Sequence, residues 1–352
     1  MDARPTTEQR ELEDAAVRLA EKLGPTTVGD LDDADRRSRL DAALEQAGWR
    51  ELRTGTHGEP LASGVEAALV ARALARGAAD VAFIGPLLAH DLLRRADAAP
   101  NEAARDDAAH DGAGADDEPA RTVAVTPDLS RLARGTGVAV DATGSTVALA
   151  LGVAGDTLIE TPIPTSDEPG GVDLTRSVRR LDDAPADAGY ALGTLSPDDL
   201  VAWEALAVTL TAADLVGVME GAIELTTAYA RERRQYGVPI GSFQAVQHLL
   251  AEAKTLSEGA LSAMLYAAWA VDALGPAEAR AAAAVAKAYA ARSARTVCET
   301  AIQVHGGIGN TWECMAHVFL RRALLSTELF GGESPQLALL AQQRWGARHG
   351  LS

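Results

Sequence analysis

From Ser196 onward the chain reads as a succession of very long helices separated by short glycine- and proline-marked breaks. Ser196-Pro197-Asp198-Asp199 is a helix start: a hydroxyl at the cap, proline at the first position, acids in the first turn. The helix it opens is expected to run to about Arg234. Others are expected at 242–274, 276–305, 312–328 and 334–346. Each carries a wide apolar stripe, as the members of a bundle must. Only 4% of the residues are aromatic while 47% are apolar, much of that alanine, so close helix packing is the expected core. Residues 193–352 therefore read as a C-terminal four-helix bundle.

The rest of the chain divides by its period. Leu12, Ala16, Leu19 and Leu23 fall at helical spacing, predicting a helix over 6–24, with others over 31–47, 63–79 and 85–98. Residues 1–120 read as an N-terminal helical domain ending in an Asp-rich loop, 101–119, too polar to offset its own ordering entropy. From 121 the pattern changes to short β-type runs at 122–125, 137–140, 146–151 and 157–163, with a further strand pair expected in 171–182. Residues 121–192 are thus a small middle β domain, and the fold class is α+β, mainly α.

Composition sets limits on partners. The formal net charge is −18, with 50 acidic against 32 basic residues, which disfavours nucleic acid and anionic lipid. Two cysteines, Cys298 and Cys314, give neither a zinc spacing nor a disulfide framework. With no charged-then-apolar leader and no 18-residue apolar run, the expectation is a cytoplasmic protein outside the membrane.

Two segments carry chemistry. The first is Arg233-Arg234-Gln235-Tyr236-Gly237, followed by Ser242-Phe243-Gln244; by itself it is a helix end, a glycine turn and a new helix start. The second is Gln303-Val304-His305-Gly306-Gly307-Ile308-Gly309, then Glu313 and Arg321-Arg322. By itself it is a glycine-capped helix terminus followed by a tight turn. Taken together, they resemble the C-terminal half of the acyl-CoA dehydrogenases, flavoenzymes that desaturate acyl-CoA thioesters. The resemblance implies FAD as cofactor, contacted by Arg233, Gln235, Tyr236, Phe243, Gln244, Gln303, His305, Gly306, Gly307 and Gly309. In that family such contacts reach the FAD of a partner subunit across a dimer interface. Asn310 and Val318 depart mildly from the family pattern, and His305 alone is more often a packing residue than a catalytic one.

The family's catalytic base is the point of departure. The usual glutamate lies nine residues after the arginine matching Arg321, and that position holds Phe330, which cannot accept a proton. The alternative position, on the long helix, holds Ala207. Glu328, Glu333 and Glu204 are the available substitutes, with Glu333 the leading candidate. The β unit departs too: Val125-Thr126-Pro127-Asp128-Leu129-Ser130 stands where the family has a Thr-Glu-Pro-x-x-Gly-Ser stretch, and no tryptophan occurs between Trp49 and Trp203.

The combination resembles the glutamate-less subunit of actinobacterial heteromeric acyl-CoA dehydrogenases, several of which act on steroid side-chain thioesters. That implies an acyl-CoA substrate and a second acyl-CoA dehydrogenase chain as partner, in a dimer or α2β2 tetramer. Two other readings stay open: a self-sufficient enzyme with a relocated base, and an FAD-free fold relative acting as a lyase, a dehydratase or a scaffold.

Overall fold

The computed structural model describes residues 5–55, 59–96, 119–152, 155–165, 171–181 and 191–349. The Asp-rich segment, apart from Pro119, lies outside the described residues. Four helices come first: α1 (Thr7–Leu23), α2 (Ala34–Gln46), α3 (Gly64–Arg76) and α4 (Ile84–Arg95). Their starts are written locally. Thr6 with Gln9 and Ser63 with Glu66 form reciprocal capping boxes, each satisfying backbone donors that the first turn leaves unpaired.

Six strands follow: β1 (Arg121–Val125), β2 (Val138–Val140), β3 (Val147–Leu151), β4 (Thr157–Pro162), β5 (Val178–Arg180) and β6 (Ala191–Thr194). They make one mixed sheet in the order β5-β2-β1-β3-β4-β6. Only the β1–β3 pair is parallel. The side chains alternate by pleat: Val123, Val125, Leu149 and Leu151 join the main core, while Ala124, Ala148 and Ala150 form a small second core with Ile159 and Ile163. Both sheet faces are covered. The strand pair expected in 171–182 is a single strand, β5, hydrogen-bonded to β2. β6 lies outside the expected runs: Ala-Leu-Gly-Thr has a single β-branched residue and no alternation, and its pairing to β4 makes it a strand.

The C-terminal half holds α5 (Pro197–Glu232), a two-residue hairpin of β7 (Arg234–Gln235) and β8 (Val238–Pro239), α6 (Gln244–Ala273), α7 (Pro276–His305), α8 (Ala316–Glu328) and α9 (Glu333–His349). α5 packs against α3, α6, α7 and α8, so the N-terminal helices sit directly on the bundle. Trp203 is fully buried and its indole N–H donates to the Leu88 carbonyl at 3.0 Å, locking α5 onto α4. α8 starts at Ala316, four residues later than expected, because 311–315 is spent on a turn.

α5 corrects one expectation. It does contain an 18-residue window long and apolar enough to cross a membrane, but 94% of that window is buried inside the fold. A helix apolar all round is what the centre of a bundle requires. The fully buried acid at its centre, Asp214, is answered. Asp214 Oδ1 accepts from Arg176 at 2.6 Å and Arg322 at 2.7 Å, and Oδ2 accepts from Ser326 Oγ at 2.7 Å. Burial alone would raise the Asp214 pKa, but the two guanidinium groups hold it below the ordinary carboxylate value. This ionic knot ties α5, α8 and the loop before β5 together.

Candidate functional site

The exposed side of the candidate site starts where α5 stops. The Arg233 N–H closes the last helical turn onto the Tyr229 carbonyl at 2.9 Å, and the chain then reverses through β7 and β8. Tyr236 and Gly237 both have positive φ, 53° and 82°, the conformation a two-residue hairpin turn needs. Ile240 is buried beneath and its N–H returns to the Arg233 carbonyl at 2.7 Å, so the hairpin is anchored at its base. Everything above that base faces solvent: Arg233, Gln235, Tyr236, Phe243 and Gln244 are all exposed. Tyr236 is 95% exposed, and its ring meets Phe243 edge-on with 6.3 Å between centroids.

The second segment lies against the first. Tyr229, one turn before Arg233, stacks on His305 with centroids 4.3 Å apart. His305 is itself buried, with Nδ1 2.8 Å from the Ala301 carbonyl. It differs in this from the other expected contacts: it holds the turn from inside rather than presenting a surface. Gly306 caps α7 at φ 66°, ψ −144°, a conformation open essentially to glycine alone. Gly309 is buried, and a Cβ there would come within 3.0 Å of the His305 Cβ and the Ile302 carbonyl. Gly307 has neither constraint. It is exposed with nothing within 4 Å of a would-be Cβ, leaving bare backbone accessible beside exposed Gln303. Open glycine backbone next to arginine and amide side chains fits the polar half of a dinucleotide, since backbone N–H groups and guanidinium forks both suit phosphate oxygens. Among the expected contacts, only His305 and Gly309 are withdrawn from the surface.

The position of the family's usual base lies elsewhere, packed near the start of α5 rather than beside the hairpin at its end, and it is closed. Between α8 and α9 the chain passes through Phe330 at φ 58° and Gly331 at φ 86°. A left-handed phenylalanine costs about 1–2 kcal/mol, so the surroundings must over-determine it. They do. The Phe330 N–H donates to the Leu129 carbonyl at 2.7 Å, its own carbonyl accepts from Gln336 Nε2 at 2.7 Å, and its ring packs edge-on against Trp203 at 5.6 Å. Only 3% of the residue is exposed. Lys287, fully buried, donates to the Thr211 hydroxyl at 3.0 Å, to the Leu329 carbonyl at 2.8 Å and to the Ser326 carbonyl, fastening the end of α8.

Leu129 belongs to the loop after β1, where the sequence departs from the family. Here Asp128 accepts from the Thr126 hydroxyl at 2.5 Å and the Ser130 hydroxyl at 2.9 Å. Those bonds pull its pKa to about 2. The loop's polar groups answer one another.

The three acidic substitutes for the base all lie at the surface. Glu333 opens α9 with its side chain 40% exposed, 3.9 Å from the still more exposed Arg292. Glu204 is 41% exposed and sits 3.5 Å from Arg280. Glu328 is exposed at the end of α8. Sequence reasoning missed Asp214, Arg176, Arg322 and Lys287. A lone acid in the apolar run of α5 was the one signal available for them.

Residues 205–344 match the family model for the acyl-CoA dehydrogenase C-terminal domain. The chain is 33% identical over 174 residues to the acyl-CoA dehydrogenase IpdE2 of Mycobacterium tuberculosis, a match spanning 49% of this chain and 50% of that protein. Across three curated relatives, the match covers 17%, 50% and 55% of their lengths, so the chain spans about half of them or less. Among solved structures, a chain of the ChsE4-ChsE5 complex from Mycobacterium tuberculosis superposes with a TM-score of 0.76 at 23% identity, covering 100% of each chain. A chain of the Tcur3481-Tcur3483 steroid acyl-CoA dehydrogenase, in a G363A variant, also gives 0.76 at 23%, covering 98% of this chain and 99% of that one. Those two likenesses establish the fold. The matched domain identifies residues 205–344 as an acyl-CoA dehydrogenase C-terminal domain.

Proposed function

We propose that this chain is one subunit of a heteromeric acyl-CoA dehydrogenase, contributing FAD contacts to a partner chain that supplies the catalytic base. The observation that carries the reading is the contrast at the site: Arg233, Gln235, Tyr236, Phe243, Gln244 and Gln303 are exposed, while position 330 is a buried phenylalanine. Exposed aromatic and arginine side chains on an anchored hairpin suit a surface that a second molecule completes. In this reading Arg233 pairs the cofactor's pyrophosphate, the bare backbone at Gly306 and Gly307 lies along its adenosine-diphosphate half, and Tyr236, Phe243 and Gln244 pack beside it. When bound, FAD accepts the β-hydride of the acyl thioester as a base removes the α-proton. This chain's own part is to bind, orient and exclude water.

The chains of the superposed assemblies, described as a two-component complex and as a steroid acyl-CoA dehydrogenase, support a partner of the same family and a bulky acyl-CoA as substrate. The domain division at about 120 and 192 belongs to the same proposal. So does a location in the cytoplasm.

The test is flavin occupancy of the assembled pair. Arg233→Ala and Gln303→Ala should each lower bound FAD without unfolding the chain, and unchanged occupancy removes the proposed role. A second reading, an FAD-free scaffold, draws support from the packed Phe330–Trp203 contact. It predicts that no combination of chains takes up flavin through these residues.

A further inference from the structure

A cleft of about 310 Å³ opens between α8, the turn before it and the segment leading to β5, lined by Val172, Asn310, Trp312, His317, Leu320, Arg321 and Leu324. Its most informative member is His317. The residue is only 7% exposed and lines an open cleft, yet among the described residues neither ring nitrogen makes a well-formed hydrogen bond, the Thr311 backbone offering only a weak one. A buried imidazole left this way forgoes well-formed hydrogen bonds, which native structures seldom leave unmade unless something else makes them. Burial and the Arg321 charge hold its pKa below the usual histidine value, against a weaker pull from the Thr311 backbone.

The other walls say what that something is. Arg321 spends one N–H on the Val172 carbonyl, at 3.3 Å, and lies 5.8 Å from the Trp312 ring centroid. The Trp312 indole is 66% exposed and meets the His317 ring edge-on at 5.2 Å. Among the described residues no carboxylate lines the cleft, in a chain whose net charge is −18. Donors therefore outnumber acceptors here, against the sign of the whole surface. The remaining walls, Leu320, Leu324 and Val172, are apolar. The volume lies at the small end for a ligand pocket.

We infer that this cleft is a binding site for a small organic anion, a carboxylate or phosphate ester on a flat apolar body. The anionic end meets Arg321 and His317, with the Asn310 amide in reach of the same cleft, and the body lies against Trp312, Leu320 and Leu324. Arginine supplies the charge and fork for either anion. The cleft begins at Asn310, next to the glycine turn of the FAD-contact reading, but the inference does not depend on that reading.

Calorimetric titration of the intact chain with 1-naphthoate and with 1-naphthyl phosphate tests it, with 1-naphthalenemethanol as the uncharged control. At least one anion should bind saturably at submillimolar concentration, about tenfold or more tighter than the alcohol. The stronger anion identifies the headgroup. Arg321→Ala and His317→Leu should each weaken that anion by about tenfold while thermal melting confirms a folded chain. Arg321 is partly exposed, so its variant serves even if His317→Leu melts early. Absence of saturable binding by both anions, equal binding of the alcohol, or indifference to both substitutions overturns the inference.

Discussion

The hairpin after α5 and the turn after α8 are both tight reversals at helix ends, and both place an aromatic residue at positive φ, yet they solve opposite problems. Tyr236 at 53° stands 95% exposed at a hairpin tip. Phe330 at 58° is 3% exposed, with its backbone and ring all engaged by the rest of the chain. One turn is finished within this molecule, and the other leaves its side chains exposed. Large aromatics with so much exposed surface are characteristic of interface anchors, whereas strain kept under full packing belongs to structure. The division of labour proposed above rests on that contrast.

The largest effect should come from the closed side. Asp214→Ala strips the buried Arg176 and Arg322 of their shared carboxylate and should destabilise the chain by about 3–5 kcal/mol in chemical denaturation. A loss under 1 kcal/mol would mean that the knot does not hold α5 to α8. Phe330→Ala should come next, at about 3 kcal/mol for the vacated space beside Trp203, partly offset by relief of the left-handed strain. If instead the variant is as stable as the parent, position 330 is not the plug described here.

Lys287 gives the closed side a pH signature. Burial lowers its pKa from 10.5 to about 7. Between those values the unfolded chain binds a proton that the folded chain does not, so the stability contributed by this group rises as pH climbs from 7 toward 10.5. Below pH 7 both states are protonated and its contribution is level. Lys287→Met should flatten that slope in melts taken across the window; an unaltered slope assigns it to other groups.

The open side should barely register in stability. Tyr236→Ala and Phe243→Ala should each shift unfolding by less than about 0.5 kcal/mol yet reduce flavin retained by the assembled pair. A large loss of stability would show that these rings serve this chain's own fold. Smallest of all is Glu333→Gln. A lost general base costs factors of about 10²–10⁴ in rate, and a surface carboxylate paired only loosely with Arg292 should cost less than about twofold when turnover of the pair is measured.

What the sequence disclosed, and what it hid, follows the same division. Helix ends were legible because their signals are local: Ser196, Pro197, Asp199 and the Ser63–Glu66 pair act within four residues. The residues proposed to contact the cofactor are also local, lying in two contiguous motifs, the hairpin and the glycine turn. The hidden parts depend on distance along the chain. Asp214 meets Arg176 and Arg322 across 38 and 108 residues, and nothing local to any of the three announces it. Phe330 could be read as a missing base, but not as a residue packed on Trp203 and bonded to Leu129. His317 looked like one more helix residue until its poorly bonded nitrogens lined a cleft.

The most direct measurement is the visible absorbance of this chain expressed with ample FAD, first alone and then with an acyl-CoA dehydrogenase chain that has glutamate where this one has Phe330. A subunit that serves a partner's cofactor should be colourless alone and show flavin absorbance in the pair, which Arg233→Ala diminishes. Flavin bound by the lone chain at about one per molecule and bleached by an acyl-CoA would contradict that role.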